Sequence, residues 1–386
     1  MTKIQNGFCH LDFGNSNLFR VSYFEFSPSM SFFSKKEKQR PLLGVDIGTG
    51  TVKVVKLEKY SDAKERGKLE NYGMVKMRSF DQSHMGGLQI LDAEGIKMLR
   101  LLLSRLHEET KEAAFSIPMY SAFVQEMILP PMLESELASA VEFEARSRIP
   151  VPIKDVNVRW ELIEEPKEDA RGLPHTQERH VLLIAVPNDI IFRYQNIAKE
   201  VGLTIHALEV EVFSTMRALN LNANEPVVIL DIGARNTNIA FIKNGFLRLS
   251  HNIEKGGDGI SQVIAQGMDI DIIRAEELKK KEGLAPSGAS SALGGLVYPV
   301  VDNLIGEIRR VMELITPLLD GEKLKKVVLV GGTAQMKGLK EYFAVKINVP
   351  VEIANPWVGI NCPPKLQNQW EQRALTFVAA TGLALY

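Results

Sequence analysis

One stretch of this chain occurs twice. The segments 43-LGVDIGTGTVKVVKLEK-59 and 228-VILDIGARNTNIAFIKN-244 each run an apolar strand into an aspartate, place a glycine two residues on, and resume as a strand. Such self-similarity constrains the fold more than any composition does, because each copy must open its own α/β unit. A glycine-rich strand–turn–strand presents bare backbone N–H groups, which can bind phosphate oxygens without a side chain intervening. An aspartate at the strand end suits the water shell of Mg²⁺, a cation that keeps several waters and needs few protein ligands. Asp46 and Asp231 hold these positions, and Lys53 adds positive charge. A third glycine turn, 330-VGGTAQMKG-338, lies further along. Two such turns facing one cleft would clamp a triphosphate from both sides. The alternative is that each is a plain tight turn with a solvated aspartate, since Asp and Gly dominate turns in general.

Length and charge narrow the class. The chain has 386 residues, enough for two or three domains at roughly 100–200 residues each. Forty-six Lys and Arg against 47 Asp and Glu give a net charge of -1, which lacks the basic footprint of a nucleic-acid binder. Cys9 and Cys362 cannot form a disulfide framework, so a reducing, cytoplasmic setting is expected. Apolar runs such as 181-VLLIAV-186 fall far short of the roughly 20 residues that span a bilayer. Seven His and two Cys show no metal-ligand spacing, and no Walker-type or nucleophile-elbow motif occurs.

Residues 1–40 carry no regular periodicity and read as a disordered extension, with a start at Met30 or a membrane-touching 30-MSFFSKKEKQR-40 as alternatives. Strands are expected at 42–48 and 52–60, then a helix at 92–109 capped by Asp92. A mixed α/β module follows at 115–187. It has strands at 121–129, 156–163 and 180–186, a helix capped by Ser135 or Glu134, and a surface loop at 164–179. Asn188 is the expected cap of the next helix and Gly202 its end. Asn244-Gly245 predicts a hairpin. Helices are expected at 258–267, 274–282 and 297–320, the last preceded by a flexible loop at 283–295. A strand at 326–332 and helices near 336–345 and 371–385 close the chain. Trp160, Phe143 and Tyr194 read as core or as an aromatic groove for a peptide.

The order DIGTGTVK, DIGARNTN, GGD and VGGTAQMKGL resembles the actin-like ATPase superfamily, which includes actin, the heat-shock chaperone ATPase domains, MreB, FtsA and the sugar kinases. Within it the chain is most similar to the PilM family of type IV pilus assembly. The stretches that carry this are 117-IPMYSAFVQEMILPPM-132, 144-EARSRIPVPIKDVNVRWELI-163, 186-VPNDIIFRYQNIAKEVGLTIHALEVEVFSTMRAL-219 and 253-IEKGGDGISQVI-264. The resemblance implies an α/β, actin-like (ribonuclease H-like) fold of duplicated domains around a nucleotide cleft, with an inserted α/β subdomain. Residues 42–114, 188–225 and 374–386 would form the first domain, 115–187 the insert and 226–373 the second, after an extension at 1–41.

It further implies ATP and Mg²⁺ as cofactors. Asp46, Gly48, Thr49, Gly50, Thr51 and Lys53 match the first phosphate motif, and Asp231, Gly233, Ala234 and Asn236 the second. Gly256, Gly257 and Asp258 match the turn beside ribose and phosphates, Glu276 and Lys279 the adenine-side helix, and Gly331, Gly332 and Thr333 the adenosine motif. Asp46 and Asp231 would hold Mg²⁺ through water. Glu211 matches a glutamate that orients attacking water, and it reads equally as a helix-start carboxylate stabilised by the macrodipole. Val212 stands where the chaperones have Pro, and Arg235 where small polar residues are usual, so weak or absent turnover is expected. The implied partner is the cytoplasmic tail of a PilN-like inner-membrane protein, held between core and insert, with self-association, no nucleic acid, and membrane contact only through partners. A small-molecule kinase and an FtsA-like filament protein are the alternatives on this fold.

Overall fold

The computed structural model describes residues 41–60, 64–77, 93–164, 178–221, 225–284, 291–371 and 373–386. The readings for residues 1–40, Cys9, the Asp92 cap and most of the 164–179 loop lie outside them.

Three sheets organise the chain. The first domain opens with β1 (Leu42–Ile47), β2 (Thr51–Lys59) and β3 (Gly67–Lys76), followed by α1 (Ala93–Arg105) and β4 (Glu112–Ile117). The insert contributes β5 (Phe123–Leu129), α2 (Glu134–Arg148), β6 (Val156–Glu164) and β7 (Arg179–Pro187). The chain then returns to the first domain through α3 (Asn188–Val201), β8 (Thr204–Val210) and α4 (Glu211–Leu219). The second domain comprises β9 (Val227–Ile232), β10 (Thr237–Lys243), β11 (Phe246–Ile253), α5 (Gly257–Met268), α6 (Ile272–Glu282), α7 (Ala292–Ile315), β12 (Lys326–Val330), α8 (Leu339–Ile347) and β13 (Val351–Ile353). Finally β14 (Ile360–Asn361), α9 (Pro364–Glu371) and α10 (Val378–Ala384) fold back on the first domain.

The two large sheets are built alike. One runs β14-β3-β2-β1-β4-β8 and the other β11-β10-β9-β12-β13, each with an antiparallel three-strand meander followed by parallel neighbours. The strand that ends in an aspartate is central in both, and its continuous burial explains its unbroken apolar sequence. The turn between β10 and β11 has Asn244 at φ 55° and Gly245 at φ 81°, the left-handed pair a two-residue hairpin requires.

The inserted sheet, β5-β7-β6, has two buried faces. Val181, Leu183 and Ala185 of β7 pack with Leu137, Val141 and Ala145 of α2, while Leu182, Ile184 and Val186 enter the first-domain core with Tyr194. The insert is therefore cemented to its host rather than tethered to it.

Several expectations change. β3 and β4 are additional strands, and β4 belongs to the first sheet, so residues 115–117 pair with the first domain, while the insert's first strand, expected at 121–129, runs over Phe123–Leu129. Ile360–Asn361 already pairs with Gly67–Lys68, so the chain re-enters the first sheet before residue 374. At the start of α2 the N-cap position falls on Leu133 rather than on Glu134 or Ser135, and Glu136 Oε2 accepts the Leu133 N–H at 3.0 Å. Asn188 lies inside α3 and donates to the Lys154 carbonyl at 3.1 Å. Gly202 ends that helix at φ 75°. The third long helix starts at Ala292, not 297, because Ser291 Oγ accepts the Gly294 N–H at 2.9 Å. Tyr194 is fully buried and Phe143 is 74% exposed, so they form no groove with Trp160. Among the described residues no helix is long and apolar enough to cross a membrane.

Candidate functional site

The duplicated turns share their hydrogen bonding as well as their sequence. Gly48 N–H donates to the Thr51 carbonyl at 3.0 Å, and Gly233 N–H to the Asn236 carbonyl at 2.9 Å. They lie against one another: a Cβ added to Gly50 would sit 2.9 Å from the Ala234 methyl, closer than carbon atoms approach. That glycine is required by the opposing turn.

Charge gathers where the turns meet. Lys53 Nζ lies 2.7 Å from Asp46 Oδ2, and Ser116 on β4 donates to Asp46 Oδ1 at 2.9 Å. Burial pushes the Lys53 ammonium down, but Asp46, Asp231 and Glu211 more than offset it and hold its pKa above the ordinary lysine value. Burial, with Asp46 adding to it and Lys53 opposing, raises Asp231 to about 6. Burial and the charges of Asp231 and Asp46 raise Glu211 to about 8, against the pull of the Met119 N–H and Lys53. By surface area both carboxylates keep some solvent contact at the cleft, which moderates the energies but not the direction. Tyr120 is pushed up to about 12 by burial and by Glu211.

The remaining predicted residues build the walls. Gly257 and Asp258 N–H groups donate to the Gly233 and Ala234 carbonyls at 2.9 and 2.8 Å, so the GGD turn is stacked on the second aspartate-glycine turn. Thr333 Oγ1 donates to the Gly233 carbonyl at 3.0 Å. Gly331 has φ 88°, and a Cβ there would strike Asp231 Oδ1 and the Ile232 carbonyl. Lys279 donates to the Gly257 carbonyl at 2.9 Å and pairs with Glu276 at 2.6 Å, a carboxylate that also accepts from Ser261 at 2.6 Å. Burial opposes ionisation of Glu276, but Lys279, Ser261 and Lys280 outweigh it and hold it at about 2. Arg235 Nε lies 3.9 Å from Asp258 Oδ2, and Gly332 sits in the same turn as Gly331 and Thr333. Thr49 and Thr51 flank Gly50 at the crossing, half-buried.

Glu211 is the first residue of α4, and its Oε1 accepts from Met119 N–H at 2.9 Å and from Asn238 Nδ2 at 2.6 Å. Asn238, Asn252, Ser116 and Tyr120 were absent from the sequence reading. Asn238 was findable, because it holds in the second repeat the position Lys53 holds in the first. Ser116 lies just before the 117–132 family stretch, and Met119 lies within it, where no side-chain chemistry singles it out because its backbone N–H makes the contact.

These residues fit a magnesium nucleotide. Three carboxylates share one lysine, and the raised pKa values of Asp231 and Glu211 mark a site short of positive charge, which a divalent cation would supply. Among the described residues no three His, Cys, Asp or Glu side chains converge as direct ligands, so such an ion would be held largely through water.

Duplicated α/β domains with the same strand order, meeting at two aspartate-glycine turns, make this an actin-like fold. The chain belongs to the type IV pilus assembly protein PilM family, whose model matches residues 44–386. A solved PilM–PilN type IV pilus biogenesis complex is similar at a TM-score of 0.73 and 21% identity, over 89% of this chain and 97% of that one. The ethanolamine utilization protein EutJ of Carboxydothermus hydrogenoformans is similar at 0.53 and 18%, over 91% and 92%. Among curated proteins, the cell division protein FtsA of Streptococcus pneumoniae is 26% identical over 217 residues, 50% of this chain and 47% of its own. FtsA of Buchnera aphidicola is 29% identical over 182 residues, 40% and 43%. The chain thus spans about half the length of the curated relatives it matches.

Proposed function

We propose that this protein binds ATP with Mg²⁺ in the cleft between its two domains and acts in type IV pilus assembly by capturing the cytoplasmic tail of a PilN-like inner-membrane protein. The observation that supports the nucleotide reading is the meeting of Gly50 and Ala234 beside Asp46, Lys53 and Asp231, which brings the two duplicated turns and their charges together. Asp46 and Asp231 orient the ion's waters, Lys53 neutralises phosphate oxygens, and the backbone of both turns receives the phosphates. Glu276, Lys279, Gly331, Gly332 and Thr333 form the nucleoside side. When bound, Mg²⁺ neutralises charge on the phosphates.

Glu211 orients the attacking water, and it does so weakly. Val212 directly after it and Arg235 in the second turn depart from the superfamily's pattern, which argues for slow hydrolysis. Turnover well below the 1–1000 per second of ordinary enzymes follows. Titration calorimetry tests binding: the wild type takes up ATP·Mg²⁺, and Asp46→Ala with Asp231→Ala does not. Equal uptake by both sinks the reading.

The tail reading is supported by family membership and by the exposed aromatic surface of Phe143 on α2 and Phe192 on α3. It would place the protein at the cytoplasmic face of the inner membrane, held there by its partner. Pull-down with N-terminal peptides of a PilN-type protein should weaken about tenfold with Phe143→Ser and Phe192→Ser, the loss expected for anchoring aromatics. Undiminished capture moves the site elsewhere.

A further inference from the structure

The two hydrogen bonds to Glu211 Oε1 come from different domains. Met119 N–H belongs to the first, in the turn that precedes β5, whereas Asn238 reaches over from β10 of the second. Asn238 Oδ1 is itself taken, accepting from Asn252 Nδ2 at 2.6 Å, and the two asparagines are register partners on β10 and β11. An amide whose oxygen is engaged by a donor must turn its NH₂ the other way, so Asn252 dictates that Asn238 offers a donor to Glu211. With Oε1 held twice, Oε2 is the oxygen left to work.

The same strand continues to the insert. Two residues before Asn252, Ser250 Oγ donates to the Val124 carbonyl of β5 at 3.3 Å. Two residues further back, Arg248 Nε lies 3.0 Å from Glu126 Oε2, also on β5, and Glu126 Oε1 lies 2.6 Å from His180 Nδ1 on β7. The Arg248 and Glu126 side chains are almost wholly buried, and separating a buried pair is costly, so β11 and the inserted sheet move together. One polar track along a single hairpin thus runs from the insert to Glu211.

We propose that Asn238 is a positioning residue for Glu211, and that the β10–β11 hairpin makes the placement of Glu211 depend on how the inserted sheet sits against β11. A tail seated on the insert would then be felt at the nucleotide's attacking water. The catalytic consequence rests on the nucleotide reading above; the positioning itself does not.

The test uses the full chain without nucleotide and follows hydrogen exchange of the Met119 amide, whose hydrogen is held by Glu211 Oε1. Asn238→Ala should speed that exchange about tenfold, the weight of one hydrogen bond to a carboxyl group. Asn252→Asp should act in the same direction, because its carboxylate reverses the Asn238 amide. Arg248→Met at the far end should give a smaller increase, about threefold, with Glu126→Gln as a second variant should that protein fold poorly. Single-turnover ATP cleavage should fall in the same order, with nucleotide Kd within about twofold of wild type, as expected when an interaction acts mainly on the chemical step. Wild-type exchange in Asn238→Ala overturns the positioning role. Faster exchange in Asn238→Ala with none in Arg248→Met or Glu126→Gln overturns the link to the insert. A wild type that takes up no nucleotide overturns the nucleotide reading, and the exchange measurement still decides this one.

Discussion

In the first repeat the residue paired across the hairpin from the aspartate is Lys53, 2.7 Å from the Asp46 carboxylate. In the second repeat the same register position opposite Asp231 holds Asn238, which turns away to Glu211. Backbone, strand order and turn hydrogen bonds are shared; the charge is not. One half balances its aspartate with a lysine, and the other leaves a carboxyl whose pKa is raised to about 6. Duplication supplied two equivalent aspartate-glycine turns, and divergence at a single register position made one an ion pair and the other a support for a third carboxyl group.

The sharpest way to break this comparison is to remove the lysine. Lys53→Met leaves the 4% exposed Asp46 carboxylate without its ion pair, and the nucleotide-free protein should lose about 3–5 kcal/mol in chemical denaturation. Asn238→Met, the matching change in the other half, should cost no more than about 1–3 kcal/mol. Equal losses would mean that the halves do not differ electrostatically.

Gly331→Ala comes next. Its positive φ and the contact with Asp231 should cost about 1–3 kcal/mol and displace the second aspartate, with nucleotide affinity falling alongside. Gly50→Ala, where only a methyl group is met, should lower affinity without a comparable loss of stability. Melting curves and ATP titrations of the two proteins separate these effects.

pH offers a milder test. Asp231 and Glu211 are acids whose folded values, about 6 and about 8, lie above the ordinary carboxylate range. The folded state therefore binds their protons more tightly than the unfolded state does. Their contribution to stability is complete below about pH 4 and is lost as pH rises, first through 6 and then through 8. Melting temperature of the nucleotide-free protein should decline over that range. Asp231→Asn should flatten the lower part of the decline and Glu211→Gln the upper; an unchanged slope in both would show that other groups set it.

The smallest effect should come from making the halves alike. Asn238→Lys adds a cation beside Asp231 and Glu211 and should stabilise the nucleotide-free protein at pH 8 by about 1 kcal/mol, as a partly solvated pair does. It should also weaken the pull of the site on Mg²⁺. A destabilised Asn238→Lys protein would show that the Asn252 contact outweighs the added charge.

Much of the architecture was legible because it rests on local pattern. The apolar runs of β1 and β9 could only be buried strands, and Asn244-Gly245 could only be a turn. β3 escaped because its sequence, GKLENYGMVK, is polar and broken by glycine, which a strand paired to β2 tolerates. β4 escaped because EAAFSI is short and its burial is conferred by neighbours distant in the chain. Within the site, the aspartates and glycines declared themselves through the repeat. Asn238 was readable by counting along that repeat, whereas Ser116 and Asn252 had nothing local to mark them and Met119, inside the 117–132 stretch, acts through its backbone.

The order of residues alone thus determined two homologous turns, the acid at the end of each central strand, and the family to which the chain belongs. It could do so because turn geometry and the apolar run of a central strand are written in residues a few positions apart. Only the tertiary structure decided that Gly50 meets Ala234, that Asp46 is paired while the pKa of Glu211 is raised, and that β11 carries contacts from the insert toward Glu211. Those outcomes depend on the burial and mutual charge of groups brought together from separate elements, and such quantities exist only once the chain has closed on itself.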